Sequence, residues 1–226
     1  MLIPLDQTNW TLLPDDTFYD NRCGLKVSLG KYTNISPSVC VDLHDGESSC
    51  LYIGNNVTIN DGVIIGSNTV IKDNVRIDAK TKIGTQCHID GGVSIGPLCN
   101  IGDFATIRSS AIRQCVVIGK HAVLEAYSSI GDNSSIYDEC HISPCVNIVP
   151  NAIIPRTPIY IKDHHYWLGW CGQDFIGCDD GVYSYQDWIN NKQFAMQDNW
   201  ELTTEEKILF QKQLMLVIDW IRTFHK

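Results

Sequence analysis

From Ile53 onward the chain places an isoleucine at every sixth position: Ile59, Ile65, Ile71, Ile77, Ile83, Ile89, Ile95, Ile101 and Ile107. One five-residue step leads to Ile112, and the spacing of six then resumes through Ile118, Leu124, Ile130, Ile136, Ile142, Ile148 and Ile154. Read backwards, the same frame meets Val41, Ile35 and Leu29 and misses only Glu47, inside the polar stretch His44 to Ser49. A period of six fits neither a 3.6-residue helix nor a free two-residue strand, so the repeating unit is supersecondary. Each hexad becomes one side of a triangular coil, with the isoleucine pointing inward. The following residue is often glycine (Gly54, Gly66, Gly84, Gly96, Gly102, Gly119, Gly131), as expected where a corner needs a permissive backbone. With coils spaced like adjacent strands, about 4.8 Å apart, the prism is roughly 30 Å tall.

This hexad pattern resembles the left-handed β-helix superfamily, which holds hexapeptide acyltransferases, γ-class carbonic anhydrases and the pointed-end subunits of dynactin. The resemblance covers about residues 27 to 160 and implies an all-β solenoid: a left-handed parallel β-helix of about seven coils with a C-terminal α-helix. One such coil serves many chemistries, so the resemblance fixes the fold and leaves the function open.

The flanks divide the rest. Residues 1–26 carry Trp10, Leu12, Leu13, Phe18 and Tyr19 out of register, and read as an irregular cap over the first coil. Residues 27–160 form the β-helix, 161–202 an irregular segment rich in aromatics and glycine, and 203–226 a helix. That helix has Thr203 or Thr204 to cap it, Glu205 and Glu206 in its first turn and Arg222 near its end. Its wide apolar stripe predicts a helix folded back along the prism, with a partner-binding helix as the sharper alternative.

A net charge of -9 and a pI near 5.1 argue against nucleic acid or an anionic membrane as partner. No apolar run approaches the roughly 20 residues of a membrane span, and the first residues lack a signal-like pattern, so a cytoplasmic protein is the simplest expectation. Of the ten cysteines, Cys87, Cys99 and Cys140 lie two residues before an inward isoleucine, where a small apolar side chain is wanted; reduced thiols are expected.

A γ-class carbonic anhydrase needs three histidines converging on zinc with a place left for water. The slots that correspond best hold Lys120 and Glu125. His88 and His141 share a column but stand three coils apart, and His121 reads as a surface histidine stacked on Phe104 and paired with Glu139. No metal site is expected.

Two functional readings remain. The exit from the coil, with its prolines, "WLGWCG" at Trp167 to Gly172 and a terminal helix, resembles the dynactin pointed-end subunits. It implies a non-catalytic scaffold subunit without cofactor, docking other proteins through the prism faces and through Trp167, Trp170, Trp220 and Phe224. The same aromatics could instead cover the last coil. The alternative is a CoA-dependent acyltransferase acting on a sugar hydroxyl or amine. Hexapeptide acyltransferases place a proton-accepting histidine in a loop that interrupts the coil. Here His44 occupies such an interruption, followed by "YIGNNVTI" at Tyr52 to Ile59, which is similar to a segment of galactoside and maltose acetyltransferases. An exposed loop histidine is the plainer reading of His44. The alternative implies acetyl-CoA, a homotrimer, and Arg156 and Lys162 near the CoA phosphates; the family's usual exit turn is replaced here by "IPRTPIYI".

Overall fold

The computed structural model describes residues 1–5, 10–14, 16–43, 49–163, 166–179, 181–192 and 202–224, with 191 and 192 as backbone only. Its body is a three-walled prism with seven parallel strands in each wall, a left-handed parallel β-helix. The first wall runs from Lys26–Leu29 and Cys50–Ile53 through Thr69–Ile71, His88–Ile89, Thr106–Ile107 and Val123–Leu124 to His141–Ile142. The second wall begins at Asn34–Ile35 and ends at Asn147–Ile148; the third begins at Cys40–Asp42 and ends at Ile153–Ile154. Ile53, Ile71, Ile89, Ile107, Leu124 and Ile142 pair in register up the first wall, and all are buried. Each such rung removes a large aliphatic side chain from water, worth about 1.5–3 kcal/mol.

The glycines after the rungs serve a purpose other than the expected one. Among those prism glycines none has a positive φ. What they lack is a Cβ: one built on Gly66 would lie 2.4 Å from the backbone of Gly84, and one on Gly84 2.6 Å from Asp103 N. The left-handed backbone falls instead on the third residue after each rung, where Asn56 (φ 55°), Asn74 (59°), Lys80 (59°), Leu98 (61°), Phe104 (61°) and His121 (56°) turn the corners. The five-residue step shortens one corner. Ser110 takes the inward place usually held by valine, and its hydroxyl lies 2.9 Å from both Glu125 O and Ser128 Oγ. Ser109 adopts a smaller φ of 34°, and Ile112 rejoins the register opposite Ile95.

Both ends are closed by regular structure where irregular segments were expected. At the start, Leu2–Pro4 pairs antiparallel with Cys40–Asp42, while the hairpin Trp10–Leu12 and Phe18–Asp20 adds antiparallel to Lys26–Leu29. Strands of opposite direction end the ladder and cover its open edge. Buried Asp20 takes hydrogen bonds from Arg22 N and Nε, and Arg22 reaches on to Pro4 O, tying the two pieces together.

At the far end Tyr160–Lys162, Trp167–Gly172, Phe175–Cys178 and Gly181–Ser184 form a four-stranded antiparallel sheet. Its Cys171 O accepts from Val149 N of the last coil, and Gly172, at φ 106°, approaches so closely that a Cβ would sit 2.4 Å from Ala152 Cβ. The 21-residue helix Thr204–Phe224 packs on this sheet rather than back along a wall, burying Phe210, Leu214, Val217, Ile218 and Ile221. Thr203 is its cap, in reciprocal hydrogen bonds with Glu206. No helix among the described residues is long and apolar enough to cross a membrane.

Candidate functional site

Coil register stacks residues 18 apart, or 17 across the short corner, so the outward side chains of the first wall form columns. One column reads Tyr52, Val70, His88, Thr106, Val123 and His141. Beside it, one residue after each rung, stand Lys72, Asp90, Arg108 and Glu125. These alternate in sign and join up: Lys72 Nζ lies 2.7 Å from Asp90 Oδ1, Arg108 Nη1 2.7 Å from Glu125 Oε1, and Arg108 Nε 3.9 Å from Asp90 Oδ2. Each histidine of the first column meets a carboxylate, His88 Nε2 at 3.2 Å from Asp90 and His141 Nε2 at 3.3 Å from Glu125. The hydrogen bond from Lys72 holds the Asp90 carboxyl below its usual range, burial opposes this, and His88 adds to it.

Beside the ladder the surface of the wall bears an open depression of about 620 Å³, lined by Tyr52, Val70, Lys72, Asp73, Asn74 and Gly91. A second, of about 340 Å³, shares Tyr52 and Val70 and continues toward the N-terminal hairpin past Lys26, Ser28, Cys50, Asn68 and Thr17. Together they make one trough with a half-exposed tyrosine in its floor and a lysine toward each end. Among the described residues Lys26 forms no ion pair.

His44 lies outside the described residues, but both flanks of its segment are placed. Leu43 follows the third-wall strand Cys40–Asp42, and Ser49 precedes the first-wall strand Cys50–Ile53. The described chain leaves the third wall at Leu43 and resumes at Ser49, and Cys50, the next residue, lies in the lining of the trough.

The other sequence-derived candidates are dispersed. Lys120 pairs with Asp103 at 2.9 Å, and Glu125 with Arg108 and His141, so both carbonic-anhydrase slots hold ion-pair partners. Among the described residues no three His, Cys, Asp or Glu side chains are grouped to hold a metal. His121 stacks flat on Phe104, centroids 4.6 Å apart; among the described ion pairs none joins it to Glu139. Arg156 covers the Phe224 ring at 4.5 Å, and Lys162 is exposed on the antiparallel sheet. Both sit beyond the last coil, six coils from Leu43 and Ser49, the described flanks of the insert, or about 29 Å. Trp167 and Trp170 are 7% and 1% exposed, buried inside the terminal cap. Trp220 packs between Trp170 and Phe224, and only Phe224 of the four is exposed. All ten cysteines are free, and burial pushes the thiols of Cys87 and Cys99 up to about 11.

The trough and its charge ladder were not singled out from sequence. The signal was present: Lys72, Asp90 and Arg108 stand 18 apart with alternating sign, which becomes visible once the coil length is used as the reading frame.

The prism, its hexad rungs and its capping helix define a hexapeptide-repeat left-handed β-helix protein. A family model described as the GMPPB C-terminal domain matches residues 71–154, just over a third of the chain. Among curated proteins none matches by sequence. Similar solved structures include a protein of Bacillus cereus assigned as an acetyltransferase (14% identity, TM-score 0.47, covering 87% of this chain and 94% of that one). A hexapeptide transferase family protein from Anaplasma phagocytophilum gives 13% identity and a TM-score of 0.36, with 89% and 95% covered. A GDP-perosamine N-acetyltransferase mutant from Caulobacter crescentus, solved with CoA and GDP-perosamine, gives 19% and 0.32, with 54% and 52% covered. Such distant likenesses concern the fold alone.

Proposed function

We propose that this protein is a CoA-dependent acyltransferase whose working face is the first wall, with His44 as general base. The observation that supports this reading is where the described chain resumes after the histidine-bearing interruption: Cys50, two residues beyond it, lines the trough on that wall. The scaffold reading leaned on tryptophans as docking groups, and the buried positions of Trp167 and Trp170 withdraw that support.

Acetyl-CoA brings an activated acyl thioester. The trough suits a long molecule with an anionic end: Tyr52 offers a flat apolar floor and Lys26 offers positive charge, while Lys72 is held by Asp90. His44 accepts the proton of the acceptor hydroxyl or amine as that atom bonds to the acyl carbon, and the proton is returned to the departing thiolate. A homotrimer accompanies this reading, with a neighbouring copy closing the open side of the trough.

The test is thermal unfolding with and without millimolar acetyl-CoA, with acyl transfer and solution mass measured alongside. Ligand at about 100 times its dissociation constant adds about 2.7 kcal/mol, a shift of a few degrees. His44→Ala is expected to keep the shift and lose transfer. No shift and no transfer in the wild-type protein would sink the proposal in favour of a scaffold.

A further inference from the structure

The terminal helix is apolar on two sides, and a cap requires only one. Opposite its buried side it exposes Ile208 (49%), Leu209 (44%), Met215 (44%) and Leu216 (56%). Between these two apolar rows runs a row of charges at heptad spacing, Glu205, Lys212 and Asp219, all exposed. Positions seven apart lie nearly above one another on a helix, so the face reads as a seam whose central row alternates in sign. Among the described residues Lys212 has no ion pair, and Asp219 has only a loose, exposed contact with Arg222 at 3.8 Å.

We propose that this face pairs with the same helix of a second copy, antiparallel about a two-fold axis between Met215 and Leu216. Charge complementarity and helix overlap together select this arrangement: an antiparallel axis between Ile208 and Leu209 would also set Lys212 against an acid, Glu205, but it puts Met215 and Leu216 beyond the start of the partner helix at Thr204. A parallel pairing in register, or an antiparallel one centred on Lys212, sets lysine against lysine. A parallel pairing offset by one heptad matches the charges but leaves each copy with an unused half, so it does not close. The axis between Met215 and Leu216 places Lys212 of each copy beside Asp219 of the other, twice over, with Met215 on Met215 and Leu216 on Leu216 between them. The four apolar side chains bury on the order of 400 Å² per copy, about half of a standard interface, so the association is weak and reversible. The pairing lies at the capped end of the prism and does not depend on the acyltransferase reading.

The experiment is sedimentation equilibrium of the full chain from micromolar to millimolar concentration. The wild-type assembly is expected to double in mass with rising concentration. Lys212→Glu and Asp219→Lys, each placing like charges together, should weaken the doubling about tenfold or more, and the combined swap should restore it. Because both side chains are exposed, circular dichroism of the variants should match wild type. A wild-type mass that does not double, or single reversals that leave the doubling unchanged, would overturn the proposal.

Discussion

At Gly66 and Lys80 two requirements of the coil are separated that a sequence pattern merges. Gly66 is needed because the next coil passes where its side chain would be, so Gly66→Ala should destabilise the protein by about 3 kcal/mol. Lys80 holds a left-handed backbone that costs an ordinary residue about 1 kcal/mol, so Lys80→Gly should be neutral to stabilising by up to about 1 kcal/mol. Urea midpoints of the two variants measure both effects, and a loss at Lys80 equal to that at Gly66 would contradict the distinction. Charge at single residues also predicts the acid limb. Hydrogen bonds from Arg22 hold Asp20, and those from Lys72 hold Asp90, below their usual value of 3.8. Each carboxylate binds its proton more weakly in the folded chain than in the unfolded one. Its stabilisation is therefore complete above that value and lost as pH falls through the depressed one. Urea midpoints should fall below about pH 4, and Asp20→Asn should lower the midpoint at neutral pH while flattening the acid fall.

Among the elements, the terminal cap shows why a segment without hexad register is still a regular part of the fold. Trp188 is fully buried, meets Phe210 and Tyr183, and donates its indole N–H to Ile176 O. Trp188→Ala should cost about 3–5 kcal/mol, with loss of near-ultraviolet circular dichroism from the cap. Thr203→Ala removes one half of a capping box and should cost about 1 kcal/mol, read as a smaller drop in the same unfolding midpoint. If both substitutions are silent, the sheet and helix do not close the last coil. The short corner at Ser110 is a second lesson at this scale. One residue is dropped, yet Ile112 still pairs with Ile95, and Ser110, buried at the short corner, satisfies its hydroxyl on Glu125 O and Ser128 Oγ.

For the whole molecule, what matters is that the two ends of the prism are far apart. The trough and the described flanks of the insert belong to the first coils, Arg156 and Lys162 lie at the terminal cap, and a ligand occupying the trough leaves the cap untouched. Tyr52→Ala should abolish the acetyl-CoA-dependent shift while changing the unliganded stability by no more than about 1 kcal/mol, since Tyr52 is 43% exposed. Arg156→Ala should leave the shift intact. If Arg156→Ala removes the shift and Tyr52→Ala does not, the cofactor lies along another surface and the first wall loses its role.

The hexad spacing from Leu29 to Ile154 was sufficient by itself to determine the coil, its number of turns, its inward column and the inward cysteines, because a six-residue period fits a three-sided β-solenoid that buries every rung. The helix start was likewise legible to within one residue in Thr203 or Thr204, and the structure chose Thr203. Tertiary structure alone decided what happens across and beyond the coils. It turned the aromatic tail into an antiparallel sheet that hides Trp167 and Trp170, and it parted Arg156 from the insert. It also lined Tyr52, Val70, Lys72 and Asp90 into one face. Neighbourhood on a solenoid wall is set by residues one full coil away, and the closing of its ends by which strand edges remain unpaired; neither is a local property of the chain.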